Sequence, residues 1–251
     1  MDGTLLNSKN ELPEDFFGWV EAHPEIVTVI ASGRQYQTLC DNMAPMRDKL
    51  TFIAENGGFV FHKGERIYCD EMPRENLLRV LHHVARRDNL VPILCGQESA
   101  YMPMDTPEDI YGEASVYFHK LKRADLLDEN LPQDVIVKVA VYVKEHAGEA
   151  MMDYMMELKP QLNVVLSGDR WIDVSNNTVC KGNAIRAIQR IYDIDPLECM
   201  CFGDYLNDVT LIESCEESYC MENGHPMLKK LAKHLTSSND DRGVMRVLER
   251  L

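Results

Sequence analysis

Apolar and polar positions change period along the chain, and the changes divide it into segments. Residues 26–31 form a nearly continuous β-branched run, ending in Ser32-Gly33-Arg34. Such a run suits a strand covered on both faces in a parallel sheet. "RQYQTLCDNM" then reads as helix, and "LTFIAENGG" as a second short strand ending at Asn56-Gly57. "GFVFHKGERIYC" reads as a hairpin turning at Lys63-Gly64. From about Pro73 the texture changes. "PRENLLRVLHHVARRD" is an amphipathic helix with Leu77, Val80, Leu81 and Val84 on one face. "LVPILCG" and "ASVYFHK" read as strands, and "DVIVKVAVYVK" alternates with valine at 135, 137, 139, 141 and 143, the pattern of an antiparallel sheet with one covered face. "HAGEAMMDYMMELKP" is helical, its methionines core filler, and "LNVVLSG" and "RWIDVS" are strands.

After Ser175 the first texture resumes. "KGNAIRAIQRIYDI" is a helix stopped near Pro196, "LECMCFGD" a strand ending in Gly203-Asp204, and "LNDVTLIESC" the start of the next helix. "ESYCMENG" is a strand and turn, with "HPMLKKLAKHL" and "GVMRVLERL" as the last helices. These patterns predict a parallel α/β unit over residues 1–76 and 177–251, interrupted by an α+β unit at residues 77–176.

Composition narrows the functional classes. A net charge of −15 argues against a nucleic-acid partner, because phosphate backbones select basic surfaces. No apolar run approaches the roughly 20 residues that span a bilayer, and no basic-then-apolar leader is visible, so neither membrane nor export is predicted. The eight cysteines are scattered and contain no C-x-x-C pair, which reads as reduced thiols in a cytoplasmic protein.

Four stretches fall where chemistry belongs in such a sheet, at the carboxyl ends of strands: Asp2-Gly3-Thr4, Ser32-Gly33-Arg34, the region of Lys181, and "GDYLND" at 203–208. Asp204 and Asp208 repel each other unless a cation or a basic side chain lies between them, and hard oxygen ligands suit Mg²⁺. Asn207, between the two carboxylates, is placed to orient them. The bland alternative makes Asp208 a helix N-cap and Asp204 a turn residue. Ser32, Gly33 and Arg34 offer a hydroxyl and free amides at a strand-to-helix turn, a phosphate-binding arrangement that is also an ordinary capped turn. Lys181 opens a helix, where the macrodipole disfavours a cation. That misfit points to a carboxylate or phosphate partner, against the alternative of a solvated lysine.

In order, Asp-Gly-Thr, Ser-Gly-Arg, Lys-Gly and Gly-Asp-x-x-Asn-Asp resemble the motif set of the haloacid dehalogenase superfamily of phosphohydrolases. "AENGG" and "CMENGHPMLKKLAKHLTSSNDDRGV" resemble its Cof-type branch (subfamily IIB). The resemblance covers nearly the whole chain. It implies an α/β fold, a Rossmann-like parallel-sheet core with an inserted α/β cap domain, and Mg²⁺-dependent hydrolysis of small phosphorylated metabolites through an aspartyl phosphate. Carried over by position, Asp2 becomes the general acid and base with its carbonyl on Mg²⁺. Ser32 becomes a phosphoryl contact, with Gly33, Arg34 and Asn207 beside it on the substrate side. Lys181 becomes the charge-neutralising cation, and Asp204 and Asp208 the metal-site carboxylates. Tyr101, Tyr111, His119 and Arg170 are cap candidates by residue type only.

The opening motif departs from the pattern. Asp2 matches the second aspartate of Asp-x-Asp-Gly-Thr and Met1 the x, so the nucleophilic aspartate falls one position before Met1. The apolar strand that precedes it in the family is also lacking, which leaves two neighbouring strands with unpaired ladders and lowers stability. Three readings follow. Met1 is an internal methionine of a longer natural chain, the reading favoured because the other motif residues are intact. Alternatively the chain is a non-catalytic phospholigand-binding or interaction protein on this scaffold. Least favoured is Asp2 itself as nucleophile, because a one-residue shift turns a strand side chain to the opposite face. A generic dinucleotide binder is disfavoured, since no Gly-x-Gly-x-x-Gly follows a strand.

Overall fold

A computed structural model describes residues 1–146 and 148–251. In chain order the elements are α1 (Phe16–Ala22), β1 (Val29–Ala31), α2 (Tyr36–Asn42), β2 (Thr51–Ala54), β3 (Phe59–His62), β4 (Glu65–Cys69), α3 (Arg74–Val84), β5 (Leu90–Gly96), β6 (Ala100–Pro103), α4 (Glu108–Ser115), β7 (Leu121–Ala124) and β8 (Ile136–Val143). There follow α5 (Gly148–Met155), β9 (Leu162–Gly168), β10 (Trp171–Asn176), α6 (Lys181–Tyr192), β11 (Met200–Gly203), α7 (Val209–Ile212), β12 (Glu217–Met221), α8 (Pro226–Leu231), β13 (His234–Thr236) and α9 (Gly243–Leu248). Ala147, inside one predicted helix, lies outside the described residues. The chain separates into two compact units: Met1–Gly33, Met43–Tyr68 and Cys180–Leu251 form the first, Arg34–Asn42 and Cys69–Val179 the second.

The first unit is mixed α/β with parallel strands, but its strands form two sheets. One has the order β1-β2-β3-β4, with β1 and β2 parallel and β2 and β3 antiparallel. The β3–β4 hairpin turns at Lys63 and Gly64, whose φ values of 50° and 81° are the left-handed pair that a two-residue hairpin loop demands. The other sheet runs β11-β12-β13, all parallel. The second sheet edges of β1 and β11 pair with no strand among the described residues. An apolar cluster ties the two sheets together. Ile53 and Val60 meet Ala184, Ile185 and Ile188 of α6, which in turn meet Cys201, Leu211 and Cys220. The apolar stripe of α6 at spacings of three and four residues is what lets one helix serve both sheets.

In the second unit the sheet is continuous, β7-β6-β5-β8-β10-β9, antiparallel except for β6–β7. Its centre, β8, is buried at every position. Val139, Val141 and Val143 pack with Leu77, Val80 and Leu81 of α3, while Ala140 and Tyr142 pack with Ile110 and Ala114 of α4. The sheet is therefore covered on both faces, not on one as the alternation suggested. The missed cover is α4: Pro107 precedes it and Glu108 and Asp109 occupy its first turn, favourable for its dipole. Residues 114–120 accordingly end a helix and a turn rather than forming a strand; the strand comes later, at β7. On the α4-side face, Lys138 is buried and its Nζ lies 3.1 Å from Asp173.

In the first unit, the stretch read as a helix through residue 235 ends at Leu231, and His234–Thr236 turns into an edge strand beside β12. The eight cysteines are all free thiols.

Candidate active site

Residues 1–6 form a tight turn in which the Met1 carbonyl accepts the amides of Thr4, Leu5 and Leu6. The Met1 nitrogen donates to the Ala31 carbonyl at 3.2 Å, which fixes this turn at the carboxyl end of β1. At the carboxyl end of β11, Asp204 comes alongside: the Thr4 hydroxyl donates to its Oδ1 at 2.7 Å. Gly3 makes the approach feasible. Its φ is +65°, and a Cβ there would stand 2.3 Å from Asp204 Oδ2. Asn223 Nδ2 donates to the Gly3 carbonyl at 2.7 Å and holds the turn from the other side.

Lys181 is the first residue of α6, and the carboxylate that offsets its unfavourable place there is Asp208. Nζ donates to Asp208 Oδ1 at 2.6 Å, and each side chain is only 5% exposed. The second oxygen of Asp208 accepts the main-chain amides of Asp204 (3.0 Å) and Tyr205 (3.3 Å). Gly203 is required beneath it, since a Cβ there would sit 2.7 Å from the Asp208 Cβ. Asp208 does begin α7, but its side chain caps nothing in that helix.

The two carboxylates are held in opposite electrostatic states. Burial works against the charge on Asp208, but Lys181 outweighs it, and the carboxyl is held below its usual range. Asp204 is pushed above that range, by burial first and by the charge of Asp208, with the Thr4 hydroxyl pulling the other way. A second positive charge beside Asp204 would relieve this.

Among the described residues no three His, Cys, Asp or Glu side chains are grouped to enclose a metal. Magnesium does not need such a cage; it is commonly held by one or two carboxylates with water and substrate phosphate. Asp204, a half-buried carboxylate whose charge burial opposes, fits that chemistry. Asp208 spends both oxygens on protein donors and is fitted to position Lys181 and the Asp204 loop.

The remaining predicted residues are distributed unevenly. Asp2 is exposed. Ser32 is buried just past β1; its amide donates to the Ile53 carbonyl at 2.9 Å and its carbonyl accepts from Asn56 at 3.0 Å. Gly33 lies against the Asn56 side chain, with 2.9 Å between a built Cβ and Nδ2. Arg34 belongs to the second unit. Asn207, expected to brace the two aspartates, instead donates to Asn56 Oδ1 at 2.9 Å. In the second unit, Tyr101 donates to Asp134, Tyr111 to the Leu121 carbonyl, His119 contacts Asp41 and Arg170 contacts Glu113. Sequence reasoning quoted Thr4 and Asn56 within their motifs but gave neither a role of its own. The signals were the hydroxyl in Asp-Gly-Thr and the Asn-Gly pair, since Asn56 adopts a left-handed φ of 56° that asparagine tolerates.

The strand-end turns of an α/β unit thus bring together a buried lysine–aspartate pair and a second aspartate whose charge burial opposes. The chain belongs to the haloacid dehalogenase-like hydrolases, whose family model matches residues 1–248. It is 28% identical over 264 residues to the 5-amino-6-(5-phospho-D-ribitylamino)uracil phosphatase YbjI of Escherichia coli, covering 100% of this chain and 93% of that one. It is 22% identical to the Bacillus subtilis phosphatase YitU of the same description, covering 99% and 94%. Among solved structures, a Streptococcus mutans protein superposes with a TM-score of 0.84 at 26% identity, covering 100% and 96%. A subclass IIB sugar phosphatase of the superfamily superposes at 0.81 with 19% identity over 100% and 96%, a likeness of fold.

Proposed function

We propose that this protein is a Mg²⁺-dependent phosphohydrolase of small phosphorylated metabolites, working through an aspartyl-phosphate intermediate. The observation that carries the reading is the buried Lys181–Asp208 pair next to Asp204 at the carboxyl ends of the strands. A phosphate monoester is a dianion, and its attack by a carboxylate requires that repulsion be cancelled. Lys181 supplies one fixed positive charge, oriented by Asp208. Asp204 and the Asp2 carbonyl would hold Mg²⁺, which supplies Lewis-acid neutralisation when bound. Ser32 and the Gly33 amide would hold phosphoryl oxygens, with Arg34 and Asn207 on the substrate side. Asp2 would protonate the leaving alcohol and then activate water. The attacking carboxylate of the family pattern has no counterpart within residues 1–251, so turnover by this chain alone is expected to be weak or absent.

Sugar phosphates are the first substrate class to test. The ribitylaminouracil phosphate named for the two relatives belongs in the same panel. Among the described residues no helix is long and apolar enough to cross a membrane. A small-metabolite substrate and an acidic surface fit a cytoplasmic enzyme without a nucleic-acid partner.

The test is phosphate release from an aryl phosphate and from the panel, with Mg²⁺ and with EDTA. This chain is assayed beside a version extended upstream by an apolar strand ending in aspartate. Metal-dependent turnover by the extended chain, lost in Lys181→Met, is the expected result. No turnover by either, with phosphate still bound, would transfer the protein to the non-catalytic phospholigand-binding reading. Robust turnover by the 251-residue chain that Asp2→Asn abolishes would make Asp2 the nucleophile.

A further inference from the structure

In the first unit, the connection from β13 to α9 draws cations together. The Thr236 hydroxyl donates to the Gly243 carbonyl at 2.7 Å, and a Cβ on Gly243 would stand 2.0 Å from the Ser237 carbonyl oxygen. The start of α9 is thereby fixed against the end of β13. From there α9 buries Val244, Met245 and Val247 and leaves Arg246 exposed, with Arg250, also exposed, four positions further on. A pocket of about 400 Å³ lies at this place, lined by Arg246, Arg250, Lys229 of α8, Thr236, Ser237 and Glu222. That volume is in the range of small-molecule sites.

The charge of the pocket runs against that of the molecule. The chain has 26 Lys and Arg against 41 Asp and Glu, yet here three cations face a single carboxylate. Among the described residues none of the three forms an ion pair. The acids beside them in sequence are already engaged: Glu249 with Arg242, Asp240 with Ser8 and Asp241 with Ser238. Arg246 and Arg250 stand at a spacing where like charges on a helical turn repel. The macrodipoles of α8 and α9 favour a cation in each last turn. They account for each cation singly, but not for an uncompensated group of three. One donor is already aimed: Arg246 Nη1 donates to the Ser237 hydroxyl oxygen at 3.1 Å. The hydroxyl proton and the rest of the guanidinium remain for a ligand.

We propose that this pocket is an anion site for a phosphoryl dianion, held by the Arg246 and Arg250 guanidiniums, the Lys229 ammonium and the Ser237 hydroxyl. Three cations less the Glu222 carboxylate leave two positive charges, which a phosphoryl dianion balances. Guanidinium forks match phosphoryl oxygens in pairs, and an ammonium adds a point charge. Tyr219 also lines the pocket, but its ring already stacks on Phe202 and His234 with centroids 5.2 and 4.7 Å away. Recognition therefore rests on charge and hydrogen bonds, not on stacking a base. None of these residues has a part in the proposed hydrolysis, so the site stands or falls apart from the activity.

The probes are methylphosphonate, a phosphoryl dianion at mildly alkaline pH that phosphatase chemistry cannot cleave, and inorganic phosphate. Each is titrated into the chain in metal-free buffer and followed by NMR at the Ser237 amide and the Arg246 and Arg250 Nε groups. These signals are expected to shift together and to saturate. Arg246→Gln with Arg250→Gln should weaken binding by about tenfold or more. Arg86→Gln with Lys122→Gln removes the same charge from exposed positions of the second unit and should change it by less than about twofold. Tighter binding of the phosphonate makes the natural ligand an organic phosphate, and tighter binding of phosphate makes it the free ion; both support the site. No saturable shift at Ser237 would overturn the proposal. So would shifts confined to Ser32 and Gly33, or equal weakening by the two double variants.

Discussion

Replacing Lys181 by methionine tests whether the buried ion pair holds the site together. The two side chains are 2.6 Å apart and almost fully enclosed. Removing one partner of such a pair strands a buried charge and costs about 3–5 kcal/mol. Asp208 keeps the Asp204 and Tyr205 amides on its other oxygen, so the expected loss lies at the lower end, about 3 kcal/mol. For a unit of this size that lowers Tm by about 10 °C. The pH dependence follows from the direction of the Asp208 shift. In the intact protein Lys181 overcomes burial and the carboxyl lies below its unfolded value. A depressed carboxyl stabilises the fold above the unfolded pKa of about 4, and that contribution fades as pH falls through the folded value. In Lys181→Met, burial dominates and the carboxyl rises, so acid relieves the variant by protonating Asp208. The Tm gap is therefore widest at neutral pH and narrows below about pH 4–5. Adding Asp208→Leu to the variant should recover most of the loss. Thermal melts followed by circular dichroism across this range are the assay. A variant as stable as the parent at neutral pH, or a gap that ignores pH, refutes the reasoning.

Thr4→Val keeps the shape of the side chain and removes the donor to Asp204; a loss of about 1–2 kcal/mol is expected, read by thermal melts, with the Asp204 carboxyl moving further up by NMR titration. Gly57 has a φ of +106°, and a Cβ there would lie 2.3 Å from the Cys180 carbonyl oxygen; Gly57→Ala should cost about 2 kcal/mol or more through strain and backbone displacement. Gly18→Ala, with open space around the added carbon, is the control and should melt no lower than the parent. The first unit, whose strands form two separate sheets, should lose amide protection before the second, whose six-stranded sheet is covered on both faces. Simultaneous loss in both units would contradict this.

Where local pattern decides structure, the sequence was readable. The Lys63-Gly64 hairpin, the stripe of α3 and the helix opened by Lys181 appear as predicted, whereas the β-branched run at 26–31 yields a strand only over Val29–Ala31, with Ile26 and Val27 exposed. The misses have a common cause. Val116 and Tyr117 are apolar yet exposed, so the segment before β7 imitates a strand while belonging to a helix end and turn. His234–Thr236 is too short to show a period of its own, and only pairing with β12 makes it a strand. Whether β8 is covered on one face or two depends on α4, a helix that precedes β7 and that no pattern within β8 announces. Burial on the second face leaves its mark only in Ala140 and Tyr142, which alternation alone reads as the open side.

The site divides along the same line. Asp208 bonds to the amides of Asp204 and Tyr205, four and three positions away. That is a local Asp turn, and the spacing in Gly-Asp-x-x-Asn-Asp encodes it. The helix-opening lysine announced a missing counter-charge through its conflict with the helix dipole, so the Lys181–Asp208 pair was half legible although 27 residues separate its members. Thr4 and Asp204 are 200 residues apart, and Asn207 and Asn56 are 151 apart. No local preference distinguishes such partners, because the fold alone brings them together. This is why the residue types of the site could be named from sequence while their division of labour could not. Two aspartates four positions apart look equivalent. Only their surroundings make Asp208 a fixed, lysine-bonded anion and leave Asp204 the carboxylate whose charge burial and Asp208 oppose. Environments that push two like groups in opposite directions are a sign of distinct chemical roles, and on that ground a cation at this site should bind through Asp204, with Asp208 held to its lysine.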